Sequence, residues 1–156
     1  MFEPAVLALA ERLRARGAML ATAESCTGGL IAAACTAVAG SSDWFERGFV
    51  TYSNAAKTEL LGVPAALIAA HGAVSEPVAR AMVQGALRQS HATLAVAVTG
   101  IAGPGGAVPG KPVGTVWLAW GTAAGVQAEL LQLPGDRSAV REATVAAALA
   151  RLLAAA

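Results

Sequence analysis

Apolar positions along the chain change period several times, and each change marks an element. Val6, Leu9, Ala10 and Leu13 recur at helical spacing, with Arg12, Arg14 and Arg16 mostly on the other side, and Gly17 supplies a stop. Ala18 to Ala23 is a short apolar run that reads as a buried strand. After Gly28-Gly29 an alanine-rich run through Ile31 and Ala34 to about Val38 reads as a helix, ended by Gly40. Ser41-Ser42-Asp43 is a loop or a cap. Arg47 to Tyr52 is a second strand, with Phe49, Val50 and Tyr52 as β-formers. Ser53 or Asn54 then caps a short helix that carries Lys57 and is closed by Gly62. Pro64 opens another short helix ending near His71-Gly72, and Ser75-Glu76-Pro77 opens a longer one with Val78, Met82 and Leu87. Leu94 to Val98 is almost wholly apolar, as in a strand covered on both faces. Val113 to Trp120 and Val126 to Leu133 form a hairpin about a glycine-bounded turn, and Asp136 caps a long last helix.

This order predicts an α/β fold of three layers, α/β/α, with a mixed β-sheet between the helices, in a single domain over residues 1–156. Alanine supplies much of the 56% hydrophobic content, and no apolar run reaches the roughly 18 residues of a membrane span. Net charge is +1 with no basic stripe, which argues against a nucleic-acid partner. The N-terminus lacks the pattern of a secretory signal. Cys26 and Cys35, if on one helix, stand about 13 Å apart, too far for a disulfide. A reduced, cytoplasmic protein is expected.

The candidate chemistry gathers at Glu24-Ser25-Cys26-Thr27-Gly28-Gly29, where a strand turns into a helix. Ser25 is either a nucleophile, with the N–H groups of Cys26 and Thr27 as an oxyanion hole, or Ser25 or Thr27 simply caps the helix; local sequence favours the cap. Gly28 and Gly29 are costly in a first turn, and backbone approaching a ligand would explain them. His71 and His91 sit at helix ends, poorly placed as bases. Lys57, among Ala55, Ala56, Leu60 and Leu61, is a base if burial keeps it neutral, or a surface lysine beside Glu59. Tyr52 offers a hydroxyl to the same region or is a core aromatic. Arg137 and Arg141 share a helix face that continues as Val145, Ala148 and Leu152, so both point inward or into a cleft. They bind an anion there or pair with Asp136 or Glu142. The glycine-rich stretch from Thr99 to Pro112 resembles a phosphate- or ribose-contacting loop in character. Cys26 ranks below Ser25 as a nucleophile, because no histidine is placed to activate it.

Ala23-Glu24-Ser25-Cys26-Thr27-Gly28-Gly29, Phe49-Val50-Thr51-Tyr52-Ser53-Asn54 with Lys57, His71-Gly72-Ala73-Val74-Ser75, Thr99-Gly100-Ile101-Ala102-Gly103-Pro104 and Lys111-Pro112-Val113-Gly114-Thr115-Val116 together resemble the C-terminal domain of CinA (competence/damage-inducible) proteins. The resemblance implies a nicotinamide-nucleotide amidohydrolase, which hydrolyses nicotinamide mononucleotide to nicotinate mononucleotide and ammonia for recycling into NAD. It implies a Ser/Lys dyad, without metal or cofactor. Ser25 would be nucleophile, Lys57 base and Tyr52 a supporting group. Gly28, Gly29, Ser42, Thr99, Gly100, Arg137 and Arg141 would bind substrate, with Arg141 the first choice for the phosphate. It also suggests a homodimer, to which the strand of Trp117 and Trp120 could supply apolar interface. A non-catalytic nucleotide-binding module and a competence- or damage-related interaction protein stay open as rival readings.

Overall fold

The computed structural model describes residues 1–156. Six helices and five strands follow in the order α1 (Glu3–Arg16), β1 (Leu20–Glu24), α2 (Leu30–Thr36), β2 (Phe45–Val50), α3 (Asn54–Leu61), α4 (Ala65–His71), α5 (Glu76–Arg88), β3 (Leu94–Gly100), β4 (Thr115–Thr122), β5 (Gly125–Gln132) and α6 (Arg137–Ala155). The strands form one mixed sheet in the order β2-β1-β3-β4-β5. β2, β1 and β3 are parallel, and β4 and β5 are antiparallel additions.

The alternation of large and small residues decides what covers each face. Leu20 of β1 and Leu94, Val96 and Val98 of β3 point to one side, where they pack with α1, α2 and α6 through Leu9, Leu13, Ile31, Val145 and Leu149. Ala21, Ala23, Ala95, Ala97 and Ala119 point to the other, against Leu61 of α3, Ile68 of α4 and Val78, Met82 and Val83 of α5. Alanines on the sheet let that second layer sit close. Gly85 of α5 lies so near α3 that an added Cβ would be 2.0 Å from the Leu61 carbonyl oxygen.

Local punctuation works where it was expected. Ser53 caps α3 by accepting from the Ala56 N–H, Asp136 caps α6 by accepting from Ala139, and Gly17 and Gly62 end their helices in the left-handed conformation. Several boundaries differ: α2 stops at Thr36, four residues before Gly40, β3 runs on to Gly100 and β4 starts at Thr115. β2 begins at Phe45, two residues before the expected Arg47, and ends at Val50, so Tyr52 lies beyond the strand; as an edge strand β2 tolerates the polar Glu46-Arg47-Gly48 segment. Ser41–Asp43 is a single 3-10 turn. β4 lies inside the sheet, and Trp117 and Trp120 pack onto its opposite faces, half-buried within this chain.

β1 leads through α2 to its neighbour on one side, while β3, its neighbour on the other, is reached through helices of the opposite layer. The carboxyl ends of β1 and β3 therefore border the crevice where open α/β sheets bind ligands. Ser25, Tyr52 and Thr99 all stand at this end.

Candidate active site

Glu24 closes β1 and is 1% exposed. A carboxylate that deep needs partners. One oxygen accepts from the Thr27 hydroxyl at 2.6 Å and the Ile31 N–H at 2.8 Å, and the other accepts from the Ala32 N–H at 3.0 Å. Glu24 therefore caps α2 from the end of the preceding strand. Ser25 is left free of that task, and Thr27 spends its hydroxyl on Glu24. The capping alternative for both residues is thereby removed.

Gly28 and Gly29 take φ of 60° and 109°. These values, which residues with a side chain rarely adopt, are what the tight path from β1 into α2 requires. The left-handed turn by itself requires glycine at both positions.

Ser25 extends the sheet, its N–H donating to the Val98 carbonyl at 3.1 Å. Its side chain reaches α3. The Lys57 Nζ donates to Ser25 Oγ at 3.1 Å and to the Tyr52 carbonyl at 3.2 Å, and Ser25 Oγ lies 3.4 Å from the same carbonyl. Lys57 is 1% exposed and no carboxylate pairs with it. Burial holds its pKa below that of an ordinary lysine. The surface-lysine alternative is excluded. The arrangement is an amine of lowered basicity touching a hydroxyl that is 8% exposed. Such a pair can deprotonate the serine.

Tyr52 serves this pair through its backbone carbonyl. Its ring, 58% exposed, points away and its hydroxyl accepts from Arg137 at 3.0 Å. The sequence expectation of a hydroxyl at the dyad is corrected: β2 stops two residues earlier than expected, which turns the Tyr52 carbonyl toward Lys57. Thr99 is buried and donates to the Ala73 carbonyl at 3.0 Å, fixing the α4–α5 turn beside the site. Gly100 packs under Val116, whose Cγ2 would lie 2.6 Å from an added Cβ.

Both arginines of α6 face the site, and neither pairs with Asp136 or Glu142. Arg137 donates to the Gly103 carbonyl at 2.9 Å as well as to Tyr52. Arg141 donates to the carbonyls of Cys26 and Thr27, each at 3.2 Å. Cys26 is buried beside Ser25, and burial pushes its thiol up to about 11, which leaves it protonated near neutrality. Cys26 belongs to the turn before α2, and neither it nor Cys35 forms a disulfide.

Ser25, Lys57, Tyr52, Asn54, Thr99 and Arg137 line a cavity of about 190 Å³. Ser42 is not among its walls. It precedes β2 at the amino end of the sheet, on the turn where Asp43 pairs with Arg14. That is the whole length of β1 away from Ser25, about 16 Å at strand rise. A larger groove of about 500 Å³ lies at that same distant end, lined by Leu13, Ala18, Leu94 and Thr122, with Arg16 as its one ionisable side chain. No serine, cysteine, histidine or lysine lines it.

Sequence reasoning overlooked Glu24 and Asn54. Glu24 had a signal: a lone carboxylate ending an apolar strand, seven residues before Ile31. Asn54 had none, because the first residue of a capped helix is ordinarily solvent-facing.

The model of the CinA C-terminal domain family matches residues 3–156. The chain belongs to the CinA C-terminal domain family. It is 60% identical over 145 residues to the nicotinamide-nucleotide amidohydrolase PncC of Pseudomonas putida, covering 93% of this chain and 91% of that protein. It is 57% identical to a putative competence-damage inducible protein of Symbiobacterium thermophilum over 92% of this chain, which corresponds to 36% of that longer relative. The fold matches the crystal structure of competence damage-inducible protein A from Klebsiella pneumoniae with a TM-score of 0.95 at 41% identity, covering 97% of this chain and 94% of the other.

Proposed function

We propose that this CinA-domain chain is a nicotinamide-nucleotide amidohydrolase, converting nicotinamide mononucleotide and water to nicotinate mononucleotide and ammonia. The contact between Lys57 Nζ and Ser25 Oγ, buried and shared with one carbonyl, carries the chemical part of this reading. The likeness to the P. putida amidohydrolase over nearly the whole of both chains supports the substrate.

In the reaction Lys57, neutral, accepts the Ser25 hydroxyl proton as Oγ attacks the carboxamide carbon. The Tyr52 carbonyl holds the amine in line. Negative charge develops on the amide oxygen, and the N–H groups of Cys26 and Thr27, which donate to no other residue, are the donors for it. The proton held by Lys57 passes to the departing nitrogen, and ammonia leaves an ester on Ser25. Water, deprotonated by the same amine, attacks the ester, frees the carboxylate and restores the serine. Arg137 is the better phosphate contact, being solvent-exposed at the N-terminus of α6, where the helix end also favours an anion. This reverses the preference drawn from sequence on exposure: each arginine holds two acceptors, but Arg141 is half-buried against the Cys26 and Thr27 carbonyls while Arg137 is open to solvent. The two buried free cysteines fit a reducing, cytoplasmic compartment.

The test is ammonia release from nicotinamide mononucleotide, its riboside and free nicotinamide. The mononucleotide should give the highest kcat/KM, because remote phosphate and ribose binding positions the amide. Calorimetric binding of the mononucleotide with no ammonia released would instead establish a non-catalytic binding module.

A further inference from the structure

We infer that Arg141 is a positioning residue that shapes the oxyanion hole. The inference rests on the reading of Ser25 as nucleophile and deepens it.

Three consecutive peptide units after Ser25 have their carbonyls pinned. The Ser25 carbonyl accepts from the Gly28 N–H at 3.0 Å. The Cys26 carbonyl accepts from Arg141 Nε, and the Thr27 carbonyl accepts from Arg141 Nη2 and from the Leu30 N–H. In a planar trans peptide the C=O and the following N–H point in opposite directions. Pinning the Ser25 carbonyl therefore aims the Cys26 N–H, and pinning the Cys26 carbonyl aims the Thr27 N–H away from Arg141. Both N–H groups donate to no other residue, and they are the two that directly follow the nucleophile.

The arginine is suited to this and placed for it. A planar guanidinium offers donors in a fixed fork, which two successive carbonyls can share. Arg141 is half-buried, has no carboxylate to draw it elsewhere, and lies against Gly28, where an added Cβ would stand 3.6 Å from Nη2. Its anchoring α6 is fixed in the core by Val140, Val145 and Leu149. Gly28 and Gly29 leave the turn without side-chain restraint on its backbone angles, so it needs a clamp from outside.

The experiment compares wild-type protein with Arg141→Met and Arg141→Lys. It measures kcat and KM on the mononucleotide and the phosphate-free riboside, and the rate at which a fluorophosphonate, which carries no pyridine or nucleotide phosphate, labels Ser25. Lysine keeps a charge for a phosphate but loses the fork. Both variants should lose kcat by roughly tenfold to a hundredfold, short of the 10²–10³ that outright loss of one oxyanion donor costs. The factor should be the same for both substrates, with KM within about threefold and slower labelling to match. The inference is overturned if only the KM for the mononucleotide rises and lysine restores it, or if the labelling rate is unchanged. Should Arg141→Met fail to fold, Arg141→Lys carries the comparison. If wild-type protein labels at Ser25 but releases no ammonia, the substrate reading fails while the labelling comparison still decides the role of Arg141.

Discussion

Glu24→Gln isolates the contribution of the buried cap. The substitution preserves shape and removes one of two carboxylate oxygens as an acceptor. Three donors, the Thr27 hydroxyl and the N–H groups of Ile31 and Ala32, now face one amide oxygen and an NH₂ that cannot accept. The Ala32 N–H, or its equivalent after a flip of the amide, is left opposed to another donor. Losing a hydrogen bond to a charged group costs about 1.5–3 kcal/mol. At about 2–4 °C per kcal/mol for a chain of this size, the melting temperature should fall by about 3–12 °C. Thermal unfolding followed by circular dichroism measures this. Because the same residue fixes the turn that carries Ser25, kcat on the mononucleotide should fall as well, at temperatures where the variant is still folded. A melting temperature within 1 °C of wild type would refute the capping role, since an unpaired buried donor would then carry no cost.

Other substitutions separate the remaining claims. Lys57→Met should abolish turnover yet stabilise the fold, because burial lowers the lysine's pKa and so opposes folding with the charge in place. The unfolded chain binds that proton up to a pKa of about 10.4. The gain in melting temperature over wild type should therefore grow as pH falls from there towards the folded pKa, and level off below it. In the wild-type enzyme kcat/KM should fall on acidification as Lys57 becomes protonated, which a pH–rate profile reports. Gly85→Ala should cost more than about 3 kcal/mol in denaturant unfolding, because its Cβ would sit 2.0 Å from a backbone oxygen and force α5 off α3. Cys26→Ala should retain kcat within about tenfold, since the protonated thiol takes no part; loss on the scale of a missing nucleophile would make Cys26 the attacking group.

What the sequence disclosed and what it hid follow from how local each feature is. Ser53, Gly62, Pro64 and Asp136 act within a turn of their own position, so caps and breaks set the helices where expected. The three layers were legible because alternating segments of the two periods leave few other packings. The order β2-β1-β3-β4-β5 was not, because pairing joins residues far apart in the chain. Lys57 shows the same limit at the site. Its neighbours Ala56, Leu60 and Leu61 suit either a buried or an exposed lysine, and only the packing of α3 against the end of β1 settles which. β2 ends at Val50, two residues before the expected limit, and so presents the carbonyl of Tyr52 to Lys57 in place of its hydroxyl. Glycine at 28 and 29 announces a special backbone without saying whether a ligand or a left-handed turn demands it. Ser42 stands near Ser25 in number only, since α2 carries the chain back to the far end of the sheet between them.

The central claim is that Ser25 is the group that attacks the carboxamide. Ammonia release by Ser25→Ala, measured beside calorimetric binding of nicotinamide mononucleotide, tests it most directly. The account predicts binding within about threefold of wild type and kcat lower by at least about 10³, the scale of losing a nucleophile. Near-native ammonia release from Ser25→Ala would contradict it.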